Sequence, residues 1–306
     1  SVFLASQDVN FTNMLEPEPL RENDVRTYGA TRSMTVLDRT KELRSFRPFM
    51  KDQFRRRLRI KYSRSLLGWA WSLINPISIL LIYTLVFGTI LQGRRQIVPN
   101  PDGLDSFGHY LFSAMVVWFI FNQVSTTALS SFTQALGLRK RLYFPPAAPI
   151  LAAVLAGLVT NGVEVLVLVG AYLVVGSIAL SFFGLLLVLP LTALFGLGVG
   201  MFLAPLNARF RDVGHLYSVL LRLLFFVTPI IYSINIVPES YGGLPMRKLL
   251  YLNPLTWMTE SSRDLVFHQQ WPHWYAWVVM TGCSLFSFIA GWVVFHRLAD
   301  EVVEGF

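Results

Sequence analysis

The amino-acid sequence predicts an all-α integral membrane protein with six transmembrane helices, an N-terminal amphipathic interfacial helix, and re-entrant helices between helices 5 and 6. Composition predicts this class, because 54% of the 306 residues are hydrophobic and only 14% are charged. Soluble domains carry about 25% charged residues, so this chain lacks the charge to cover two soluble domains. A second observation is a series of uncharged segments that exceed the roughly 20 apolar residues a spanning helix needs.

The positions of these segments predict the spans. Residues 65–93 and 106–138 carry no formal charge, and residues 142–208 carry one, on Glu164. The last segment is long enough for two spans with a turn near residues 176–181. The predicted spans lie near residues 66–92, 107–135, 149–175, 183–206, 213–237 and 274–296.

The distribution of Lys and Arg predicts the orientation of the chain. With both termini inside, the inner segments hold 20 Lys and Arg residues and the outer segments hold five. Basic residues concentrate on the cytoplasmic side of membrane proteins, so both termini are predicted to be cytoplasmic. Residues 1–40 are polar and acidic, which predicts a mobile cytoplasmic tail.

A basic segment before the first span is predicted to form an interfacial helix over residues 44–63. Its apolar side chains recur every four residues and share one helical face, while basic side chains between them can extend toward lipid headgroups. The apolar residues are Phe46, Met50, Phe54, Leu58 and Tyr62. The residues predicted to bind headgroups or an incoming substrate are Arg55, Arg56, Arg57, Arg59, Lys61 and Arg64. A solvated basic linker is the alternative. The adjacent span favours a lipid partner over nucleic acid.

Residues 238–272, between the last two predicted spans, contain short apolar pieces interrupted by Pro254, Glu260, Arg263 and Asp264. None of these pieces is long enough to cross a bilayer. Such pieces predict re-entrant or interfacial helices, which membranes tolerate where the helices line a cavity. A folded external loop is the alternative.

Motifs for covalent chemistry are missing from the sequence. The dipeptide Gly-Lys never occurs, so a GxxxxGK[ST] phosphate-binding loop is impossible. The single cysteine, Cys283, excludes an internal disulfide and a cysteine-based metal cluster. We therefore predict no catalytic residue, no metal site and no bound cofactor in this chain. The glycines at 196, 198 and 200 predict close helix packing rather than nucleotide binding.

Two charged residues lie within the predicted spans, Glu164 and Arg222. They either pair or reach an interface and stabilise packing, and we favour both over an ion site. An ion-coupled carrier usually needs several carboxylates near the midplane, so one glutamate makes that function the weakest candidate.

Aromatic residues are abundant, with 24 Phe, 11 Tyr and 8 Trp. Most are expected to form interfacial belts or face lipid. Flat rings near span ends can also stack on the apolar faces of sugars. The candidates for lining a glycan channel are Trp69, Trp71, Tyr83, Trp118, Phe119, Tyr232, Tyr251 and Trp257.

Three segments together resemble a known family. They are RIKYSRSLLGWAWSLINPISILLIYTLVFGTI at residues 59–90, LNARFRDVGHL at 206–216, and TPIIYS…LLYLNPLTWMTESSRDLVF at 228–267. The sequence resembles the permease subunit of polysaccharide-exporting ABC transporters of the ABC-2 group, which serve O-antigen, teichoic acid and mycobacterial galactan. The resemblance covers roughly residues 42–298, so residues 41–306 are expected to form one transmembrane domain.

The resemblance implies a homodimeric permease of the bacterial plasma (inner) membrane, bound to two copies of a separate ATPase that holds ATP and Mg. It implies a glycan carried on a polyprenyl pyrophosphate lipid as substrate. It also implies that the basic interfacial helix and residues 238–272 are gate helices. The implied ATPase contacts are Arg139, Lys140, Arg141, Asn207, Arg209, Arg211 and Asp212.

Two other functions stay open at the level of sequence. An ATP-driven exporter of a small drug or lipid would share this architecture. A membrane-embedded glycosyltransferase or acyltransferase would need acidic or histidine side chains that converge at one membrane face, and it would turn over substrate without an ATPase.

Overall fold

The computed structural model describes residues 43–62, 70–90, 92, 100–139 and 144–304. Within these ranges the regular structure is helical, apart from one isolated β-bridge between Tyr241 and Leu244. Ser45–Phe306 forms one compact unit, and Ser1–Arg44 forms another that is described only at its last two residues. The predicted all-α class is confirmed. The tail predicted over residues 1–40 lies outside the described residues.

The helices are numbered here in chain order. They are α1 (Arg47–Tyr62), α2 (Trp71–Tyr83, extended by a π-helical turn at Thr84–Ile90), α3 (Phe107–Arg139), α4 (Ala147–Val175), α5 (Leu185–Arg209), α6 (Asp212–Val227), α7 (Met246–Tyr251), α8 (Pro254–Val266) and α9 (Trp274–Glu304). Two short 3₁₀ turns, Leu180–Gly184 and Ile234–Ile236, precede α5 and follow α6.

Five helical segments in the described part of the chain are long and apolar enough to cross a membrane. They are Trp71–Ile90, Phe107–Gly137, Ala147–Val175, Leu180–Arg209 and Trp274–Ala299. These segments match the predicted first, second, third, fourth and sixth spans, and they identify a membrane protein.

The predicted fifth span, 213–237, differs from the structure. Helix α6 ends at Val227, ten residues earlier than predicted. Pro229 has no N–H to continue the helix and forces the preceding Thr228 into an extended conformation, with φ −76° and ψ 132°. Helix α6 has only 16 residues, so a count of six spans stays a prediction.

The core of the bundle is α3, which packs against α4, α5 and α8, while α5 also packs along α9. Glycines allow the closest of these approaches. A Cβ at Gly198 would lie 2.3 Å from the carbonyl carbon of Ser287 on α9, and one at Gly200 would lie 2.6 Å from the Ser125 oxygen on α3. The predicted role of these glycines in helix packing is confirmed.

Candidate translocation site

Helix α8 lies inside the protein at one end of the bundle, named here the gate end. It has 13 residues, nine of them buried, and it packs against α3, α5 and α9. At 1.5 Å per residue it is about 20 Å long, which is too short to cross a hydrocarbon core of about 30 Å. The structure thus shows a short buried helix within the predicted re-entrant region. The charged residues Glu260, Arg263 and Asp264 were expected to interrupt the apolar pieces, but all three lie within α8. Pro254 is the first residue of α8, and Leu252 and Asn253 separate the helix from α7.

Arg263 is a fully buried cation at the centre of the gate end. Its guanidinium lies 4.2 Å from the ring centroid of Tyr110 on α3. It donates hydrogen bonds to the carboxylate of Glu260 and to the carbonyl oxygen of Ile230. A buried charge is tolerated only with such compensation. Arg263 therefore joins α8, α3 and the segment that follows the end of α6.

Further hydrogen bonds fix α8 in place. The Asn253 side chain accepts a bond from the Leu255 amide at 3.1 Å, which caps the helix, and it donates to the Thr228 hydroxyl at 2.9 Å. The Ser262 hydroxyl donates to the Ser113 carbonyl of α3, 149 residues away in the chain. Hydrogen bonds thus attach α8 both to Thr228, directly after the end of α6, and to the first part of α3.

A polar cluster connects three loops at the same end. The Ser177 hydroxyl after α4 donates to the carboxylate of Asp102 at 2.7 Å, and the Gln269 amide after α8 donates to both side chains. The hydrogen bonds from Ser177 and Gln269 hold the pKa of Asp102 below its usual range. This cluster fastens the α8–α9 connection to the two other loops.

The other end of the bundle, named here the basic end, carries the predicted ATPase contacts. The Asn207 amide at the end of α5 donates to the Thr133 hydroxyl of α3 at 3.3 Å. Arg209, Arg211 and Asp212 are exposed. The structure thus brings the end of α3, where Arg139 lies, next to the α5–α6 turn. The side chain of Arg139, together with Lys140 and Arg141, lies outside the described part, and the predicted contact role stays a prediction.

Helix α1 matches the predicted amphipathic pattern over the residues described. Phe46, Met50, Phe54 and Leu58 are partly buried. Arg55, Arg56 and Arg59 are exposed, whereas Arg57 is partly buried. The helix packs against α4. The side chain of Lys61 and all of Arg64 lie outside the description, so the structure provides an exposed basic face made by three of the six predicted residues.

The predicted channel aromatics separate into distinct groups. Tyr83 of α2 and Trp118 of α3 both contact Phe225 of α6, with ring centroids 6.0 and 5.3 Å away. Trp118 is only 7% exposed, so in this conformation its ring packs between helices. Phe225 was missed by the sequence interpretation, which considered only rings near span ends and in the re-entrant region.

A second aromatic group lies at the gate end. The rings of Tyr251 and Trp257 are 4.7 Å apart, and the Trp257 indole donates to the Tyr251 carbonyl at 2.8 Å. Tyr275 of α9 contacts Trp257 at 5.8 Å. The Tyr232 hydroxyl donates a hydrogen bond to the Val227 carbonyl at 3.1 Å, and so provides a partner for the last carbonyl of α6.

Trp71 and Phe119 belong to neither group. Both line a separate cavity between α2, α3 and α4. Trp69 lies outside the described residues. The eight candidates therefore do not form one continuous aromatic surface within a single chain.

Comparison with known proteins places this geometry in a family context. The ABC-2 type transporter family matches residues 52–267. An O-antigen export system permease protein of Myxococcus xanthus is 26% identical over 86% of this chain and 97% of its own length. A Klebsiella pneumoniae protein of the same description is 27% identical over 81% of this chain and 90% of its own length. A polysialic acid transport protein of Escherichia coli is 25% identical over 70% of this chain and 79% of its own length.

Proposed function

Because the chain belongs to the ABC-2 type transporter family, we propose that it is the channel-forming permease of an ATP-driven exporter of polysaccharide. The proposed substrate is a glycan linked to polyprenyl pyrophosphate, moved from the cytoplasm across the bacterial plasma membrane. The observation that carries the proposal is the family match over residues 52–267, which extends from α1 to the end of α8. Relatives described as O-antigen and polysialic acid transporters support a polysaccharide over a small drug.

The proposed energy source is a separate ATPase, because the sequence has no phosphate-binding loop. Two copies of this ATPase dock at the basic end, where the α5–α6 turn exposes Arg209, Arg211 and Asp212. Asn207 links this turn to α3 by a hydrogen bond, so a displacement of the turn is transmitted to the central helix of the bundle. Nucleotide and Mg belong to the ATPase, and this chain converts its movement into channel opening.

A second copy of the chain completes the proposed channel. Helix α6 buries Tyr217 and Leu221 on one face and exposes apolar side chains on the other. The exposed residues are Leu216, Val219, Leu220, Leu223, Phe226 and Val227. Arg222 is also exposed, and an arginine at membrane depth needs water or a polar partner. A two-fold contact along α6 covers the apolar residues and leaves Arg222 facing an aqueous conduit.

The substrate is proposed to enter beside α1. Its exposed Arg55, Arg56 and Arg59 attract the pyrophosphate headgroup at the inner leaflet. At the outer side, α7 and α8 close the conduit until the ATPase acts. The hydrogen bonds of Arg263 and Asn253 hold the closed position of α8.

Transport in everted membrane vesicles tests the proposal. Vesicles that contain this chain and its ATPase should enclose radiolabelled lipid-linked glycan in an ATP-dependent manner and protect it from added glycosidase. Uptake of a hydrophobic dye without protection of glycan would contradict the polysaccharide assignment. Glycan turnover by the purified chain without the ATPase would indicate a transferase instead.

Charge reversal tests the docking surface. Arg209→Glu together with Arg211→Glu should abolish co-purification of the ATPase, because the exposed positive charge at the basic end is inverted. Lys248→Glu, at an exposed cation of the gate end, is the control and should leave co-purification intact. Undiminished association of the double variant would exclude this surface as the ATPase contact.

A further inference from the structure

A polar cavity of about 400 Å³ lies between α2, α3 and α4, away from the residues that hold the gate. Its walls include Trp71 and Asn75 of α2, Phe119 and Gln123 of α3, and Asn161 and Glu164 of α4. Small-molecule sites are typically about 300–1,000 Å³ in volume. The cavity thus has the size of a ligand site and a lining that is unusually polar for the interior of apolar helices.

The polar residues occupy the middle of the bundle. Gln123 lies 16 residues from each end of α3, and Asn161 lies 14 residues from each end of α4. Two amides and a carboxylate at this depth cost free energy unless each polar group has a partner. Such residues in a spanning helix therefore indicate a function that requires them.

The free-energy cost of burial falls on the oxygen atoms of the two amides, because only their nitrogens have partners within the described part of the chain. The Gln123 amide nitrogen donates to the Thr127 hydroxyl at 3.1 Å, and the Asn161 amide nitrogen donates to the Glu164 carboxylate at 2.9 Å. The oxygens Gln123 Oε1 and Asn161 Oδ1 are buried and have no hydrogen-bond partner among the residues that the structure describes. Two acceptors on residues that line the cavity therefore lack a donor in the described ranges, and a ligand with hydroxyl groups would satisfy them.

A glycine on α4 makes room for this arrangement. A Cβ at Gly157 would lie 1.6 Å from the amide nitrogen of Gln123, so the amide occupies the space of a missing side chain. Residues 157 and 161 share one face of α4, because residues four apart are neighbours on a helix. Gly157 thus lets the Gln123 amide reach α4 beside Asn161. Any larger residue at position 157 must displace the flexible amide.

The chemistry of the walls selects one class of ligand. The two unpartnered amide oxygens favour a ligand that donates hydrogen bonds over an anionic phosphate, which mainly accepts them. Trp71 and Phe119 provide flat apolar surfaces for the C–H groups of a sugar ring. We infer that this cavity binds one neutral, hydroxylated sugar unit of the transported glycan within a single protomer. The inference rests on the proposed function and adds a glycan subsite that lies outside the two-fold contact.

Binding of alkyl glycosides to the full chain tests the inference. The chain is reconstituted in phosphatidylcholine nanodiscs and titrated with octyl β-galactoside and octyl β-glucoside below their micellar concentrations. At least one glycoside should bind saturably. Octyl phosphate and octyltrimethylammonium, which carry the same alkyl chain, should bind at least tenfold more weakly. Preferred binding of the ammonium compound would identify a cation site and overturn the inference, as would the absence of saturable glycoside binding.

Two substitutions locate the site. Gln123→Leu removes the acceptor at similar volume, and Gly157→Ala displaces the same amide without removing it. Each should weaken glycoside binding at least tenfold. Gln134→Leu is the matched control, because Gln134 is exposed on the same helix and outside the cavity, and it should bind as the unmodified chain does. Equal binding by all variants would overturn the assignment.

Two further readouts separate the possible failures. If Gln123→Leu does not give a monodisperse protein, Gly157→Ala decides, because only a flexible side chain has to move. If glycoside binding depends on Gln123 but the chain does not transport glycan, the proposed function is refuted and the sugar-binding cavity is still supported. ATP-dependent glycan transport by a chain whose glycoside binding is unaffected by both substitutions refutes the site alone.

Discussion

The guanidinium of Arg263 lies 4.2 Å from the ring centroid of Tyr110, and the arginine side chain is completely buried. Tyr110 belongs to a spanning helix and Arg263 to the short helix α8, so this contact joins α8 to the core of the bundle. The guanidinium lies over the ring and donates hydrogen bonds to the Glu260 carboxylate and the Ile230 carbonyl oxygen. A single side chain thus connects three segments that are distant in the sequence.

Removal of this cation should destabilise the protein strongly. In Arg263→Leu the carboxylate of Glu260 loses its partner, and breaking a buried ion pair costs about 3–5 kcal/mol. The midpoint of thermal unfolding, followed by tryptophan fluorescence in detergent, should fall by several degrees. Arg263→Lys should recover only part of the loss, because an ammonium group is not planar. Arg209→Leu replaces an exposed cation, so it should change the free energy of unfolding by no more than about 0.5 kcal/mol relative to the unmodified chain. Equal midpoints for Arg263→Leu and the unmodified chain would refute the role of this contact.

The hydrogen bonds to Asp102 predict a loss of stability in acid. The pKa of Asp102 is lowered by Ser177 and Gln269, so the folded state favours the carboxylate. This contribution is complete above the ordinary aspartate pKa of about 3.9 and is lost as the pH falls through the lowered value. Unfolding midpoints of Asp102→Asn and the unmodified chain should therefore differ at pH 6. The difference should begin to shrink only below about pH 4 and should vanish once the pH is below the lowered pKa of Asp102.

The partner of Asp102 provides the control for this experiment. In a Ser177→Ala background one donor is missing, so the effect of Asp102→Asn at pH 6 should be smaller. A difference between the two proteins that does not change with pH would show that Asp102 acts only by packing.

The contact between α5 and α9 predicts a contrast between two glycines. Gly198→Ala places a Cβ 2.3 Å from the backbone of Ser287, and overpacking of this kind costs about 1–3 kcal/mol. A Cβ added at Gly170 of α4 would meet no atom within 4 Å, so Gly170→Ala should be neutral or stabilise the helix by about 0.5–1 kcal/mol. Unfolding midpoints in detergent compare the two. Similar effects of both substitutions would contradict the close packing.

Disulfide cross-linking tests the two-fold contact along α6. The chain has one cysteine, so Cys283→Ser provides a cysteine-free background. Leu223→Cys is on the exposed face and should form a dimer under mild oxidation in membranes, whereas Leu221→Cys is on the buried face of the same helix and should stay monomeric. Cross-linking at both positions, or at neither, would argue against this contact.

Much of the helical architecture follows from the sequence. A span is an uninterrupted run of apolar residues, and each residue contributes its own transfer free energy, so a one-dimensional scan finds the segments. The five long helices fall at predicted positions for this reason. The amphipathic pattern of α1 and the glycines of α5 were also readable, because helical periodicity is a property of neighbouring residues.

The end of α6 was readable in principle. Thr228-Pro229 interrupts the predicted span, and proline disfavours a helix at the preceding residue. The high hydropathy of the flanking residues outweighed that signal. Similarly, Gln123 and Asn161 carry no formal charge, so an inspection based on charge passed over them, although an amide in mid-span was the available signal.

The sequence by itself determined the class of protein, the positions of its long helices and its resemblance to a transporter family, since these depend on local composition and pattern. Only the tertiary structure decided that Arg263 is buried against Tyr110, that Ser262 bonds to Ser113, and that Gln123 meets α4 at Gly157. Each of these contacts joins residues far apart in the chain, and its free energy depends on the relative placement of two helices. Helical periodicity shows which face of a helix is apolar but not which partner that face will meet.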